Sequence, residues 1–329
     1  MENQMKSLTF AEHAKTVLMI KQYKVRDNTY QLHWESLCRN HLLPYFGALP
    51  IDSIKRNDIE MYFILYRDYA RETLKSHFSV LNEIMDNAYV NDIIPKNPCE
   101  HFKIQVGGKT KKKRVYTPEQ ADLVLAYSKY HRFGLEIDLL LNCGLTRSEL
   151  LGIKWDDIDN QNQLIYIQRG VTVRQGGSSA ESSRVVINDT KNEYRERVIA
   201  VSDETMEHIN RAPRELLLGR NVQKKTPGHY VYPEFLIYNR FGKVCSPDSW
   251  YIRRYKVFMQ EMHNHYLKQG VNVPMLTPHE LRHTRASIWV NEGKNPYAIA
   301  AQLGWSDLDM LSRVYGHRDI QLLRKQLGI

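Results

Sequence analysis

Apolar residues in the first hundred positions recur every three or four residues, which is the spacing of one helix face. Four segments show this pattern: LTFAEHAKTVLMI, NTYQLHWESLCRNHLLPYFG, NDIEMYFILYRDY and RETLKSHFSVLNEIMDNAYVNDII. In the second segment we expect Pro44 to end the helix. The pattern therefore predicts a bundle of about four helices over residues 8–100, closed by the two prolines of PKNPCE.

Between residues 163 and 202 the helical period gives way to alternation. QLIYIQRGVTVR, SSRVVIND and ERVIAVSD are rich in β-branched residues, which predicts a small antiparallel sheet. YVYPEFLIYNRFG, at 230–242, predicts a further strand. Helical patterns cover about 118–154 and resume at Pro247. The predicted fold class is mostly α with a small antiparallel β-sheet, that is, α+β.

Three predicted helix starts carry the residues of a capping box, in which a Thr N-cap is followed by Glu or Gln at the third helical position. These pairs are Thr117 with Gln120, Thr146 with Glu149, and Thr277 with Glu280. Arg147 lies inside the second pair. It is either an ordinary solvated charge or part of a functional site.

The net charge of the chain indicates an anionic partner. The 329 residues suit two domains, and 46 Lys and Arg against 37 Asp and Glu give a net charge of +9. A basic chain favours nucleic acid as its partner.

The basic residues cluster in GGKTKKKR, at 107–114, where no acidic residue occurs between Glu100 and Glu119. This segment is either a solvated linker or a strap along a phosphate backbone. It predicts three parts, 1–105, 106–116 and 117–329, with DNA-binding candidates Lys109, Lys111, Lys112, Lys113 and Arg114.

The remaining composition excludes several classes of protein. The four cysteines form no CxxC, so neither a zinc knuckle nor a disulfide framework is indicated. The N-terminus lacks the apolar region of a secretion signal, and no run of about 18 apolar residues occurs. We therefore expect a cytoplasmic protein with no membrane partner.

The segment TPHELRHT places His279, Arg282 and His283 on one face of a first helical turn. Three interpretations are open. In the first, the face is an ordinary polar helix face. In the second, HELRH is the H-E-x-x-H zinc signature of a hydrolase, with Glu280 as general base. In the third, the helix N-terminus and Arg282 bind a phosphate, and His279 donates a further hydrogen bond to it.

HELRHT followed by LGW and VYGH resembles the catalytic half of the tyrosine recombinases, the phage integrase family. GLTRSELLGIKWDDID resembles the family's first arginine block, and DTKNEYRERVIAVS resembles its β-hairpin lysine block. The resemblance covers essentially the whole chain. It implies that residues 1–105 are a core-binding domain and that 117–329 are the catalytic domain with its C-terminal tail.

The resemblance implies a site-specific DNA recombinase that integrates or excises a mobile element through a 3′-phosphotyrosyl intermediate. Tyr315 would be the nucleophile and Lys191 the general acid for the leaving 5′-oxygen. Arg282 and a second arginine would stabilise the transition state. His279 would be a hydrogen-bond donor or proton shuttle, and Trp305 a donor or a packing support. No metal and no other cofactor would be needed.

The implied partners are two double-stranded DNA sites and four copies of this chain, with a Holliday junction as intermediate and possible need of a directionality factor. The tail after Tyr315 carries an amphipathic stripe of Ile320, Leu323 and Leu327. That stripe packs either on its own domain or on a neighbouring protomer. Because the helical segment starts near Leu8, we expect no further DNA-binding domain before it.

One residue departs from the family pattern. The first block usually runs G-L-R-x-S-E-L, but here Thr146 occupies the arginine position and Arg147 follows it. One helical step is a rotation of about 100°. Either Arg147 reaches back, or the arginine's role is lost, weakened or filled by another basic residue. The alternative functions are accordingly a DNA-binding protein of this fold with weakened cleavage and, more distantly, the zinc hydrolase.

Overall fold

The structure is a computed structural model that describes residues 8–25, 27–108, 114–174, 184–189, 196–219, 228–306 and 308. The chain divides into two compact units, which are described separately. Of the described residues, the first unit contains 8–108 together with Arg174, and the second contains 114–173 and 184–308.

The first unit is helical, as its sequence pattern predicts. Its α-helices are α1 (Phe10–Lys24), α2 (Asp27–Thr29), α3 (Leu43–Phe46), α4 (Arg56–Leu65) and α5 (Arg71–Val90). Between α2 and α3 the helical path continues through π-helical turns at Tyr30–Glu35 and Cys38–Leu42. Each of the four predicted segments therefore forms one helical stretch.

The prediction that Pro44 ends the second helical stretch was wrong. The stretch continues to Phe46, and Pro44 lies in the first turn of α3, directly after a π-helical turn. Proline is tolerated in a first turn because the N–H that it lacks would have no partner within that helix.

The core of the first unit contains a cluster of aromatic and histidine side chains. Phe46 packs on Phe10 and Tyr62, with ring centroids 5.5 and 5.2 Å apart. The Tyr62 hydroxyl lies 2.7 Å from Nδ1 of the buried His77, at hydrogen-bonding distance. Burial, and secondarily the neighbouring His41, lower the pKa of His77 to about 4.

The second unit mixes helices with short strands. Its helices are α6 (Pro118–Ser128), α7 (Gly134–Asn142), α8 (Arg147–Leu150), α9 (Asp203–Asn210), α10 (Pro247–Trp250), α11 (Lys256–Leu267), α12 (Pro278–Asn291) and α13 (Pro296–Leu303). The capping box predicted at Thr117 is present at the start of α6.

Within the described part of the second unit, the strands form three small sheets. They are β1 (Ile158–Asp159), β2 (Leu164–Ile167), β3 (Arg169–Arg174), β4 (Arg184–Asp189), β5 (Arg197–Ala200), β6 (Leu216–Leu218) and β7 (His229–Val231). β2 lies between β1 and β5 and pairs antiparallel with both, while β3 pairs with β4 and β6 with β7. The predicted α+β class is confirmed.

The strand predicted over 230–242 is mostly absent. Only its first residues belong to β7, whose partner β6 was not predicted. Beyond Pro233 the backbone makes isolated bridges, Lys154 to Phe235 and Tyr238 to Val244. A proline lacks the N–H that a paired strand needs, which explains the early end of β7.

A buried polar anchor fixes α7, the helix that leads into the candidate site. Trp250 Nε1 and Arg254 Nη1 both donate to the buried carboxylate of Glu136, at 2.5 and 2.6 Å. Burying a carboxylate is costly unless it is paired and hydrogen-bonded, and here both conditions are met. The anchor joins the start of α7 to the segment around α10.

The four cysteines are buried free thiols, in agreement with the absence of a disulfide pattern. In the described ranges, none of the helices has both the length and the apolar composition that crossing a membrane requires.

The lowered pKa of His77 predicts that the protein becomes less stable in mild acid. Below about pH 6.5 the unfolded chain protonates this residue, whereas the folded protein does so only near pH 4. Stability contributed by neutral His77 is therefore complete above pH 6.5 and decreases as the pH falls towards 4. The slope from this one group approaches about 1.4 kcal/mol per pH unit.

Urea unfolding between pH 7 and pH 4.5 measures this effect. We expect His77→Gln to flatten the pH dependence of the unfolding free energy. His101→Asn, at a side chain that is 88% exposed, should leave the dependence unchanged. Equal pH dependence in His77→Gln and the original protein would contradict the assignment.

Candidate active site

Glu149 is turned towards the interior by the capping box at the start of α8. Thr146 Oγ1 accepts from the Glu149 N–H at 3.3 Å, and Glu149 Oε2 accepts from the Thr146 N–H at 2.9 Å. The predicted box is thus confirmed. Leu150 and Leu151 are fully buried and anchor the turn. Thr146, in the position where the family pattern has arginine, serves as the N-cap.

Arg282 approaches Glu149 from α12. This helix also begins with its predicted capping box, formed by Thr277 and Glu280. Arg282 Nη1 donates to the Gly144 carbonyl at 2.8 Å and lies 3.8 Å from Glu149 Oε2. Its Nη2 donates to the Leu303 carbonyl. The guanidinium is therefore fixed among three chain segments.

A second guanidinium reaches Glu149 from β5. Arg197 Nη1 and Nη2 donate to the two carboxylate oxygens at 2.9 and 3.3 Å, and Nε donates to the Gln302 carbonyl at 2.9 Å. The side chains of Arg197, Glu149 and Arg282 are each only 6% exposed. A buried carboxylate thus lies between two buried arginines.

Sequence reasoning missed Arg197 as a site residue. The available signal was its alternation with Ile199, because residues two apart on a strand share a face. Ile199 is fully buried, so Arg197 occupies a core-facing position. A charge at such a position requires a partner.

The end of α13 provides carbonyl acceptors for both arginines. Gln302 and Leu303 are its last residues, and carbonyls in a final turn have no partner within their own helix. Their partial negative charge also favours a neighbouring cation. Gly304 caps the helix with a φ of +65°, and a Cβ there would lie 2.9 Å from Arg197 Nη1. The site therefore depends on this glycine.

The electrostatic balance of the three groups is positive. Burial acts to raise the pKa of Glu149, but attraction by Arg197 and Arg282 and hydrogen bonds from Arg197 and Thr146 lower it overall. The carboxylate is therefore ionised at neutral pH. Taken by themselves, the two guanidiniums and the carboxylate carry one net positive charge.

Trp305 lies beside Arg282, and His279 stands three residues before Arg282 in the first turn of α12. His279 is exposed in the first turn of α12, and its ring meets that of the buried His283 edge-on, with centroids 4.5 Å apart. The Arg282 guanidinium lies 5.7 Å from the centre of the Trp305 ring. This contact fits the packing support that we considered for Trp305.

Arg147 lies apart from the Glu149 carboxylate. Its side chain is 42% exposed, and Nη1 is 3.7 Å from Asp248 Oδ1 at the start of α10. Of the two explanations for the departure at Thr146, this placement favours a true substitution. The catalytic role of Arg147 stays a prediction.

Arg114 is held at the start of α12. Its backbone N–H and its Nε donate to Glu280 Oε1 at 3.2 and 3.3 Å, and its Nη2 donates to the Met275 carbonyl at 3.0 Å. Whether it binds DNA stays a prediction. The other predicted site residues, Lys109, Lys111, Lys112, Lys113, Lys191 and Tyr315, lie outside the described residues.

The zinc interpretation of HELRH finds no support in these contacts. Glu280, its general base, accepts from the Thr277 N–H at 2.8 Å and pairs with Arg114. Over the described ranges, no group of three or more His, Cys, Asp or Glu side chains could hold a metal ion.

Comparison with protein families decides the classification. The model of the phage integrase family matches residues 114–321, which is more than half of the chain. The chain belongs to the phage integrase family. The resemblance inferred from the arginine, lysine and tyrosine blocks is confirmed.

Curated relatives of this integrase-family chain include enzymes of mobile elements. The transposase of transposon Tn916 from Enterococcus faecalis is 28% identical over 281 residues, covering 82% of this chain. The chain spans 65% of that relative's length. A XerC-like tyrosine recombinase from Caldanaerobacter subterraneus is 24% identical over 301 residues, covering 88% of this chain and 73% of the relative.

Solved structures share the fold. The integrase of transposon Tn1549, in complex with a circular intermediate DNA, has a TM-score of 0.77 at 23% identity, with 98% of this chain and 99% of the other covered. Lambda integrase bound to a core site has a TM-score of 0.61 at 14% identity, with 92% and 97% covered.

The close packing of Gly304 against Arg197 leads to a prediction with a matched control. We expect Gly304→Ala to lower the unfolding free energy by more than the roughly 1–2 kcal/mol that a left-handed backbone costs an L-residue, because its Cβ also displaces Arg197. Gly270 has a similar φ of +79°, and a Cβ added there would have nothing within 4 Å, so Gly270→Ala should show the backbone cost alone. Equal losses in urea unfolding would show that Arg197 is not constrained there.

Proposed function

We propose that this protein is a site-specific DNA recombinase that cleaves and rejoins strands through a 3′-phosphotyrosyl intermediate. The observation that carries the proposal is the pair of buried guanidiniums on Glu149, beside the N-terminal turn of α12. Such an arrangement stabilises negative charge without a metal ion. It lies in a chain whose family performs strand transfer with a tyrosine.

In the proposed reaction the Tyr315 oxygen attacks a DNA phosphorus. The bond from phosphorus to the Tyr315 oxygen forms, and the bond to the 5′-oxygen breaks. A phenol has a pKa of about 10, so its proton must pass to a base, for which the exposed His279 is suited. Lys191 protonates the departing 5′-oxygen. A 5′-hydroxyl from a partner strand then reverses these steps and releases Tyr315.

Arg282 is the group proposed to stabilise the pentavalent transition state. Its guanidinium is fixed by the Gly144 and Leu303 carbonyls before any substrate arrives, so little reorganisation accompanies the reaction. Trp305 packs beside it and maintains its position. Because the phosphotyrosyl bond retains the energy of the broken bond, religation needs no nucleotide cofactor.

The proposed partners are duplex DNA sites and further copies of this chain. A Tn1549 integrase was solved with circular intermediate DNA, and a lambda integrase tetramer was solved on a Holliday junction. The Tn916 relative supports integration or excision of a mobile element as the biological setting. We infer that the helical unit and the basic residues of 109–114 bind the DNA backbone, and that four protomers act on two sites.

One observation favours a second candidate, a DNA-binding protein with weakened cleavage. Thr146, in the position where the family pattern has arginine, is the N-cap of α8 and carries no charge. A nicked DNA substrate separates the two candidates. After cleavage, the short strand segment with the 5′-hydroxyl diffuses away, so religation cannot occur and any covalent complex accumulates.

We expect the protein to form a covalent adduct with nicked DNA in the presence of EDTA, and Tyr315→Phe to abolish it while retaining DNA binding. Tyr297→Phe, at an exposed tyrosine of α13, is the matched control and should form adduct normally. Denaturing electrophoresis measures the adduct. DNA binding without adduct would favour the second candidate, and adduct that persists in Tyr315→Phe would exclude this nucleophile.

The role of Lys191 as general acid gives a separate prediction. We expect Lys191→Ala to slow cleavage by about 10²–10⁴-fold. A bridging sulfur in place of the 5′-oxygen leaves without protonation, so the variant should cleave that DNA nearly as fast as the original protein does. The measurement is the single-turnover rate on both DNAs. An equal loss on both would indicate that Lys191 is not the acid.

A further inference from the structure

Glu280 is the acidic residue of the capping box that starts α12, and it also binds Arg114. Its Oε2 accepts from the Thr277 N–H at 2.8 Å, as the capping box requires. Its Oε1 accepts from the backbone N–H and the Nε of Arg114 at 3.2 and 3.3 Å, and its Oε2 accepts from Arg114 Nη2 at 3.4 Å. One carboxylate therefore joins α12 to a segment 166 residues earlier in the chain.

The three capping boxes of the second unit show that capping does not need the charge of Glu280. In α6 the same position is taken by Gln120, whose Oε1 accepts from the Thr117 N–H at 3.2 Å. An uncharged amide therefore serves as well in a capping box of this chain. The two boxes that contain a glutamate, at Glu149 and Glu280, both bind an arginine from a distant segment. The contact with Arg114, rather than the cap, thus accounts for the charge of Glu280.

The contact between Glu280 and Arg114 is charge-assisted and partly shielded from solvent. The Glu280 side chain is 14% exposed, while that of Arg114 is 59% exposed. Burial acts to raise the pKa of Glu280, but hydrogen bonds from Thr277 and Arg114 lower it overall. The carboxylate is therefore ionised at neutral pH, and a hydrogen bond between ionised groups is stronger than a neutral one.

Further contacts hold the same segment along the start of α12. Arg114 Nη2 also donates to the Met275 carbonyl at 3.0 Å. The N–H of the buried Tyr116 donates to Thr284 Oγ1 at 3.1 Å, and its hydroxyl donates to the Pro274 carbonyl at 2.6 Å. The segment therefore contacts both the loop that precedes α12 and the first turns of this helix.

The place of Arg114 in the chain gives these contacts a consequence. Arg114 is the first residue of the second unit that the structure describes, and residues 109–113, the basic linker, lead to it from the first unit. His279, proposed above as the base, lies between Thr277 and Glu280 in the first turn of α12. A shift at the end of the basic linker would therefore act on the turn that carries His279.

We propose that Arg114 and Glu280 couple the basic linker to α12, so that a linker bound to the DNA backbone holds the turn with His279 in position for strand cleavage. Arg114 and Glu280 are thus positioning residues that act through α12. Arg114 Nη1 makes no hydrogen bond within the described residues, so the guanidinium can contact a phosphate without leaving Glu280. This inference rests on the proposed recombinase function.

The test measures two quantities on nicked DNA: the single-turnover rate of adduct formation at saturating DNA, and the affinity for DNA as a function of salt. We expect Glu280→Gln, which keeps the capping box, to slow adduct formation by about tenfold, because a 1 Å displacement of catalytic groups can cost about a hundredfold. The affinity should not weaken, since the substitution removes no positive charge.

Variants of Arg114 separate the coupling from a contact with phosphate. Arg114→Gln should slow the saturating rate as much as Glu280→Gln does, and any lost phosphate contact appears separately as a salt slope reduced by about one. Arg114→Lys keeps the charge but not the forked geometry, so it should retain the salt slope and still lose part of the rate. The double variant of Arg114→Gln with Glu280→Gln should react as fast as either single variant, because all three lack the same contact.

Arg211 and Glu207 provide the matched control, since they form an exposed ion pair on α9 at 2.9 Å. Arg211→Gln and Glu207→Gln should leave the saturating rate unchanged. A saturating rate in Glu280→Gln equal to that of the original protein would overturn the inference, even if urea unfolding showed a loss of stability. Losses that multiply in the double variant would also overturn it. In both cases, adduct formation by the original protein leaves the recombinase function standing, whereas its absence would overturn that function as well.

Discussion

A carboxylate buried between two guanidiniums is the interaction on which the second unit of this protein depends. Glu149 pairs with Arg197 at 2.9 Å and lies 3.8 Å from Arg282, and each of the three side chains is 6% exposed. Removing Glu149 would leave two buried guanidiniums without their shared carboxylate, and a buried charge that loses its partner typically costs about 3–5 kcal/mol. The remaining features of the site hold this group together. The α8 capping box turns Glu149 inward, and the end of α13 gives each arginine a carbonyl acceptor.

The same contacts join segments that are far apart in the chain. Residues 144–149, β5, α12 and the end of α13 meet around the group of Glu149, Arg197 and Arg282, so the geometry of the site is determined by the folded unit rather than by any single motif. This arrangement suits transition-state stabilisation, because donors fixed before the substrate binds need not reorganise during the reaction. It also explains why Gly304 matters. A left-handed residue without Cβ is required where the α13 end approaches Arg197.

Local signals in the sequence were sufficient for three helix starts and for the family. The capping boxes at Thr117, Thr146 and Thr277 were predicted from residue spacing and are present, because capping depends on only four consecutive residues. The prediction that Pro44 ends the helical stretch was wrong because Pro44 directly follows a π-helical turn and lies in the first turn of α3, where a proline is tolerated. Local reasoning could have placed Arg197 at a core-facing position of β5, but it could not identify the partners of that charge. Its partners, Glu149 and Gln302, are 48 and 105 residues away, and its importance follows only from their meeting in the fold.

The ionisation of Glu149 is the most direct test of its pairing with two buried arginines. If two guanidiniums hold this carboxylate, its pKa lies below the ordinary glutamate value of about 4.3, whereas burial alone would raise it above that value. Titration of the protein with ¹³C-labelled glutamate, followed by nuclear magnetic resonance and assigned with Glu149→Gln, measures it. We predict that the pKa of Glu149 lies below the ordinary glutamate value in the original protein and rises in Arg197→Gln. A Glu149 carboxyl that is protonated at neutral pH in the original protein would contradict this pairing.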